Sequence, residues 1–110
     1  MDAALLQRVE RWLDGDPDVH DRAELRALIQ AADEAALRAR FSGRLSFGTA
    51  GLRGPIQAGP RGMNTAVIRQ STAGLAEVLL QDPDAAERGV VVGFDARHRS
   101  EAFAVEATAV

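Results

Sequence analysis

Three glycines stand three residues apart in Phe47-Gly48-Thr49-Ala50-Gly51-Leu52-Arg53-Gly54. No other stretch limits the fold as much. Glycine at this density works against helix and favours turns, positive φ and close approach of other groups to the main chain. Successive backbone N–H groups in such turns can form a concavity that holds an anion. Arg53 adds a planar fork of donors that fits a phosphate, and Thr49 adds a hydroxyl. From the residues alone two readings stand side by side: an oxyanion site built from Gly48, Thr49, Gly51 and Arg53, or a tight turn carrying a structural arginine.

The rest of the chain gives that stretch its setting. Its 110 residues suit one small domain with one core, and 46% hydrophobic with 26% charged residues is ordinary for a globular protein. A net charge of −3 gives no reason to expect nucleic acid or an anionic membrane as a partner. All 13 basic residues are Arg, so no lysine is present to form a Schiff base or serve as a phosphate-loop ligand. The absence of Cys excludes disulfides and thiolate metal sites within these residues. There is neither a secretory signal pattern nor an apolar run of membrane-spanning length, so the expected location is cytoplasmic.

Residues 3–14 carry Leu5, Val9, Trp12 and Leu13 on one helical face, ended by Gly15-Asp16-Pro17. The phasing of Trp12 makes it a core anchor rather than a stacking platform. Residues 21–41 read as one longer helix. Asp21 and Glu24 are spaced as in a capping box, and Leu25, Leu28, Ile29, Ala32, Ala36 and Phe41 form the apolar stripe. His20, beside this cap, reads as a surface group. Residues 1–41 hold nine acidic and six basic residues, whereas residues 42–110 hold seven of each. The chain therefore divides into a helical extension, 1–41, and an α/β segment, 42–110. Two short helices alone would bury too little to stand as a domain.

A strand is expected to enter the glycine loop from Leu45-Ser46-Phe47, followed by extended Pro55-Ile56-Gln57-Ala58 and a turn at Gly59-Pro60-Arg61-Gly62. Asn64 caps a predicted helix ending near 81–83, with Ile68, Thr72, Leu75, Ala76 and Leu79 inward. After a surface connection at 82–89, Gly89-Val90-Val91-Val92-Gly93-Phe94 reads as the best strand, apolar enough to be covered on both faces. Asp95-Ala96-Arg97-His98-Arg99-Ser100 follows its end. Ser100 is the expected cap of a last helix that turns Phe103 and Ala107 inward. The order strand–helix–strand–helix implies an α/β fold with a mixed sheet, with ligands at the loops after the strand ends.

Together, Phe47–Gly54, then Met63-Asn64 and a helix, then Gly93-Phe94-Asp95-Ala96-Arg97-His98-Arg99-Ser100 resemble the start of the α-D-phosphohexomutases. Ala50 and the helical lead-in look most like the phosphoglucomutase-2/phosphopentomutase branch and bacterial phosphomannomutases of that type. The resemblance covers residues 8–110 and implies the first, incomplete α/β domain of a four-domain enzyme. In that family a phosphoserine donates its phosphoryl group to a sugar phosphate, and the resulting bisphosphate returns its other phosphoryl group. The resemblance implies Mg²⁺ and a sugar bisphosphate activator, a phosphosugar substrate, and the remaining domains of the same enzyme as partners. Arg53 would contact the phosphoryl group, with Thr49, Gly48 and Gly51 shaping its pocket. Asp95, Arg97 and Ser100 would brace the loops around the active site.

His98 is read as a supporting or surface group. The family's phosphoserine, metal, sugar-specificity and C-terminal phosphate loops have no counterpart here and would lie after Val110. The expectation is thus an N-terminal piece without a catalytic or metal-binding residue of its own, inactive by itself. Two other functions remain open at this point: a phosphate-binding regulatory module using the glycine loop, and a helical interaction module using residues 1–41.

Overall fold

The computed structural model describes all residues, Met1–Val110, as two compact units, Met1–Val67 and Ile68–Val110, whose boundary falls inside one helix. The first unit opens with three helices, α1 (Ala3–Gly15), α2 (Val19–Gln30) and α3 (Glu34–Phe41). An aspartate starts each of them. Asp2 accepts from the amides of Ala4 and Leu5, Asp18 from those of His20 and Asp21, and Asp33 from that of Ala36. A carboxylate at this position satisfies N–H groups that have no partner inside the helix.

Two sequence expectations change here. The start of α2 is set by Asp18, not by an Asp21–Glu24 box. Residues 21–41 form two helices, because the chain turns at Ala31–Asp33 with Ala32 at φ 51°. The Ala32 amide donates to Ile29 O and the Asp33 amide to Leu28 O, a pattern that closes a helix end on a left-handed residue. The break rotates the second half of the stripe. Leu37 is fully buried, while Ala32 is exposed.

The core of this unit is Leu5, Val9, Leu25, Leu37, Phe41 and Ala58, with Trp12, Leu13, Leu28 and Ile29 packed against it. Trp12 meets Phe41 edge-on, with ring centroids 6.2 Å apart, and its Nε1 donates to Asp16 Oδ2 at 3.2 Å. It is an anchor, as its phasing predicts. Burial raises the Asp16 carboxyl above its ordinary value, although the Asp18 amide and Trp12 both donate to it.

The expected mixed sheet is reduced in this chain to a two-stranded antiparallel ladder. Strand β1 (Phe47–Gly48) pairs with β2 (Gly51–Leu52), Phe47 opposite Leu52 and Gly48 opposite Gly51. One parallel bridge joins Ile56 to Met63. Helix α4 (Thr65–Leu79) follows, capped as expected by Asn64, whose Oδ1 accepts from the Val67 amide at 3.0 Å.

In the second unit α5 (Ala85–Arg88) supplies the helical turn expected in the 82–89 connection, and α6 (Ser100–Ala109) closes the chain. Arg69 on α4 is paired with Glu106 on α6, Nε to Oε2 at 2.6 Å. No residue of this unit is fully buried. Leu75 and Leu79 of the predicted α4 stripe are exposed, and Phe103 on α6 is half-buried beneath the Arg99 guanidinium, 4.9 Å from its ring centre.

The expected strand at 89–94 is not formed, and Val91 is 98% exposed. A strand exists through its ladder. An apolar run without a neighbour to take its N–H and C=O groups stays extended and open, whatever its β propensity.

Candidate functional site

The glycine octapeptide folds as a hairpin, with Thr49 and Ala50 forming its turn and Gly51 at φ 90°. Gly48 and Gly51 face one another across that turn, so this stretch is a short ladder rather than an open concavity of amides. Gly54 has a different reason to be glycine. A Cβ there would stand 2.6 Å from a methyl of Leu45, so the two segments flanking the hairpin close tightly on one another. Thr49 and Arg53 are both exposed. The Arg53 side chain folds back over the turn, its Nε 3.5 Å from Ala50 O, and neither of its Nη nitrogens has a protein partner.

Beside the hairpin lies an open groove of about 530 Å³, whose lining includes Arg44, Ser46, Arg53, Gln57 and Arg61 and contains no Asp or Glu. Its walls come from three segments held by backbone bonds. The Leu45 amide donates to Pro60 O, the Arg61 amide to Arg40 O, and the Met63 amide to Pro55 O. Two buried or half-buried side chains fix the 57–62 loop. The amide nitrogen of Asn64 donates to Gln57 O at 2.8 Å, Gly59 O at 2.7 Å and Gly62 O at 3.3 Å. Glu24 Oε2 accepts from the Ala58 amide at 2.6 Å and from Arg40 Nη1 at 2.9 Å.

Five arginines elsewhere (Arg38, Arg40, Arg69, Arg88 and Arg97) are paired with carboxylates. Those lining the groove are not. Arg61 Nη1 donates only to the neutral hydroxyl of Ser42, at 2.7 Å, and Arg44 has no side-chain partner. Arg44 and Arg61 have no place in the sequence reading of the site, where Arg61 is only a turn residue. Their alignment along one groove depends on contacts between residues 40, 45, 55, 60 and 61 that spacing does not reveal.

In the second unit the loop before α6 carries Asp95, Arg97 and Ser100. Arg97 Nε and Nη2 both reach Asp95 Oδ2, at 2.9 and 2.7 Å, and the Arg97 amide donates to Asp95 Oδ1 at 3.1 Å. The Arg97 side-chain bonds, followed by that amide, hold the Asp95 carboxyl at about 2, below its ordinary 3.8. Ser100 does not cap α6. It is the first helical residue, behind Arg99 at φ 64°, and its hydroxyl accepts from the Asp95 amide at 3.1 Å. These contacts make the 95–100 loop a self-braced turn. His98 is exposed.

No group of three or more His, Cys, Asp or Glu side chains is arranged to hold a metal ion, and no helix is long and apolar enough to cross a membrane. The groove lining, which has no Asp or Glu, offers no carboxylate to a Mg²⁺ ion.

A phosphate-compatible arginine groove beside a glycine hairpin, in a chain of α/β type, agrees with what comparison with known proteins returns. Residues 44–110 match the family described as phosphoglucomutase/phosphomannomutase, alpha/beta/alpha domain I. The chain belongs to that family. It is 45% identical over 105 residues, 94% of its length, to a "probable phosphoribomutase" of Schizosaccharomyces pombe. It is 42% identical over 98 residues, 88% of its length, to a phosphopentomutase of Mus musculus. Over 77 residues, 70% of its length, it is 42% identical to a phosphoglucomutase of Staphylococcus saprophyticus. The matched regions cover 18%, 16% and 14% of those relatives, so the chain corresponds to less than a fifth of each. No solved structure matches it.

Proposed function

We propose that this chain is the N-terminal part of a phosphosugar mutase, an intramolecular phosphotransferase of carbohydrate metabolism. The enzyme would interconvert a hexose or pentose 1-phosphate with its 6- or 5-phosphate. Residues 1–41 would be a helical extension and residues 42–110 the beginning of the first α/β domain. The observation that carries the reading is Arg53. In a chain matched to this family across its glycine hairpin, that guanidinium is exposed and unpaired on a groove without carboxylates.

Phosphoryl transfer demands little covalent chemistry of the protein. It needs the phosphoryl oxygens positioned and their charge stabilised. Arg53 would hold those oxygens with its free Nη donors, while the hairpin turn with Thr49, Gly48 and Gly51 keeps bulk away from the approaching group. Asp95, Arg97 and Ser100 would hold their loop in shape. The phosphoserine, and the carboxylates for a Mg²⁺ ion that neutralises phosphoryl charge when bound, would be supplied by residues following this chain. The same reading implies a sugar bisphosphate activator and a cytoplasmic protein.

The test is turnover of glucose 1-phosphate, mannose 1-phosphate and ribose 1-phosphate by the protein in which this chain is followed by its remaining domains. Activity on at least one is expected, and Arg53→Ala should lower kcat/KM by about 100-fold or more, as loss of one donor to a developing oxyanion does. The thermal midpoint should not change. Unaltered kcat/KM in the variant, or turnover by the 110 residues alone, would refute the assignment.

A further inference from the structure

The arginine groove extends beyond the residue that the mutase reading uses. Arg53 lies at one part of its lining, Arg44 precedes β1, and Arg61 stands in the 57–62 loop. Three arginines line one concave surface with no carboxylate in its lining, a local excess of positive charge that favours an anion. Surface arginines commonly offset such charge with a nearby carboxylate, as five do in this chain. In the groove Arg61 has only the Ser42 hydroxyl, Arg53 only a backbone carbonyl at 3.5 Å, and Arg44 nothing. Ser46 and Gln57 add neutral hydrogen-bonding groups to the same lining.

The position of Arg61 is built rather than incidental. Its amide is bonded to Arg40 O, its side chain to Ser42, and its loop is held by the buried amide of Asn64. A concave surface lined by one sign of charge focuses the field and concentrates counter-ions. Guanidinium forks match the paired oxygens of a tetrahedral phosphate, whereas a halide is a single sphere that offers no such pair of acceptors.

We propose that Arg44 and Arg61 act with Arg53 as a three-armed clamp for a phosphate dianion, either inorganic phosphate or the phosphoryl group of a phosphate monoester. The inference rests on the reading of Arg53 as a phosphate-facing group and adds two residues to it. Arg44 and Arg61 are positioning residues that set affinity for the doubly charged group.

The test is titration of the ¹⁵N-labelled chain with inorganic phosphate, following the arginine Nε–H resonances, with sodium chloride at matched ionic strength as the blank. Saturable shifts at Arg44, Arg53 and Arg61 are expected with phosphate and not with chloride. Arg44→Gln and Arg61→Gln should each weaken binding by about fivefold or more, as loss of one charge-assisted contact does. Arg11→Gln, which removes an exposed arginine from α1, should leave it unchanged.

A parallel titration with ribose 5-phosphate separates the two sources. Tighter binding than inorganic phosphate would identify the monoester, and equal binding the free ion. Both results support the clamp. Unchanged affinity in Arg44→Gln and Arg61→Gln overturns it. If Arg53→Ala still abolishes binding in that case, the mutase reading of Arg53 survives. If instead Arg53→Ala binds normally while the other two fail, the clamp reduces to two arms and the assigned role of Arg53 fails. Absence of saturable shifts in the unmodified chain overturns the proposal outright.

Discussion

Replacing Asn64 by Ala is the sharpest test of how the groove is held. The side chain is completely buried. Its oxygen accepts from the Val67 amide and caps α4, while its nitrogen donates to the carbonyls of Gln57, Gly59 and Gly62. Alanine removes the cap and leaves the Gln57 and Gly62 carbonyls without this donor, while Gly59 O keeps the Gly62 amide. Loss of an N-cap costs about 0.5–2 kcal/mol, and each buried polar group left unpaired about 1–3 kcal/mol, so a total near 3–5 kcal/mol is expected. That is a large fraction of the roughly 5–15 kcal/mol that holds a typical domain folded.

Urea unfolding followed by the fluorescence of Trp12 is the assay, since the one tryptophan sits against Phe41 in the core of the same unit. With a slope of about 1–3 kcal/mol per molar urea, the midpoint should fall by roughly 2 M. Asn64→Asp discriminates between the two functions of the side chain. It retains the cap acceptor, but it sets a carboxylate against three carbonyls, and it should be no more stable than the alanine variant. A loss below about 1 kcal/mol for Ala, or a wild-type midpoint for Asp, would refute the argument that the amide donors hold the 57–62 loop.

Ala32→Gly should stabilise the first unit by up to about 1 kcal/mol, because relief of the left-handed strain at φ 51° outweighs the added freedom of the unfolded chain; a lowered urea midpoint would count against it. Gly62→Ala should destabilise by roughly 2 kcal/mol or more, since its Cβ would stand 2.1 Å from Gln57 O and the backbone must move; an unchanged midpoint would show that the loop yields freely. The Asp95 carboxyl should titrate at about 2 rather than 3.8, and Arg97→Gln should return it towards 3.8, both read by ¹³C NMR. Because its folded value lies below the unfolded one, its contribution to the loop is complete above about 3.8 and is lost as pH falls through about 2. A wild-type midpoint at 3.8 would sink that account.

Much of this protein is determined by short-range physics and was legible in the sequence. The apolar phasing of Leu5, Val9 and Trp12 defines α1, Asn64 caps α4, and the glycines at 48, 51 and 54 compel a turn. The paired motifs at 47–54 and 93–100 carry the family, to which the comparisons also assign the chain. Other features needed tertiary structure. Whether 21–41 is one helix or two depends on packing Leu37 and Phe41 against α1, which outweighs the helix propensity of Ala31 and Ala32.

The Val90–Val92 run has a strand's composition, but a strand requires a neighbour, and no residue string states whether one is present. The groove is the clearest case. Arg44, Arg53 and Arg61 are scattered over eighteen positions of sequence, and only the backbone bonds 45–60, 40–61 and 55–63 bring them to one surface. Sequence determined which side chains could hold a phosphate. Tertiary structure decided which of them share a surface, because that depends on long-range hydrogen bonds rather than on local propensity.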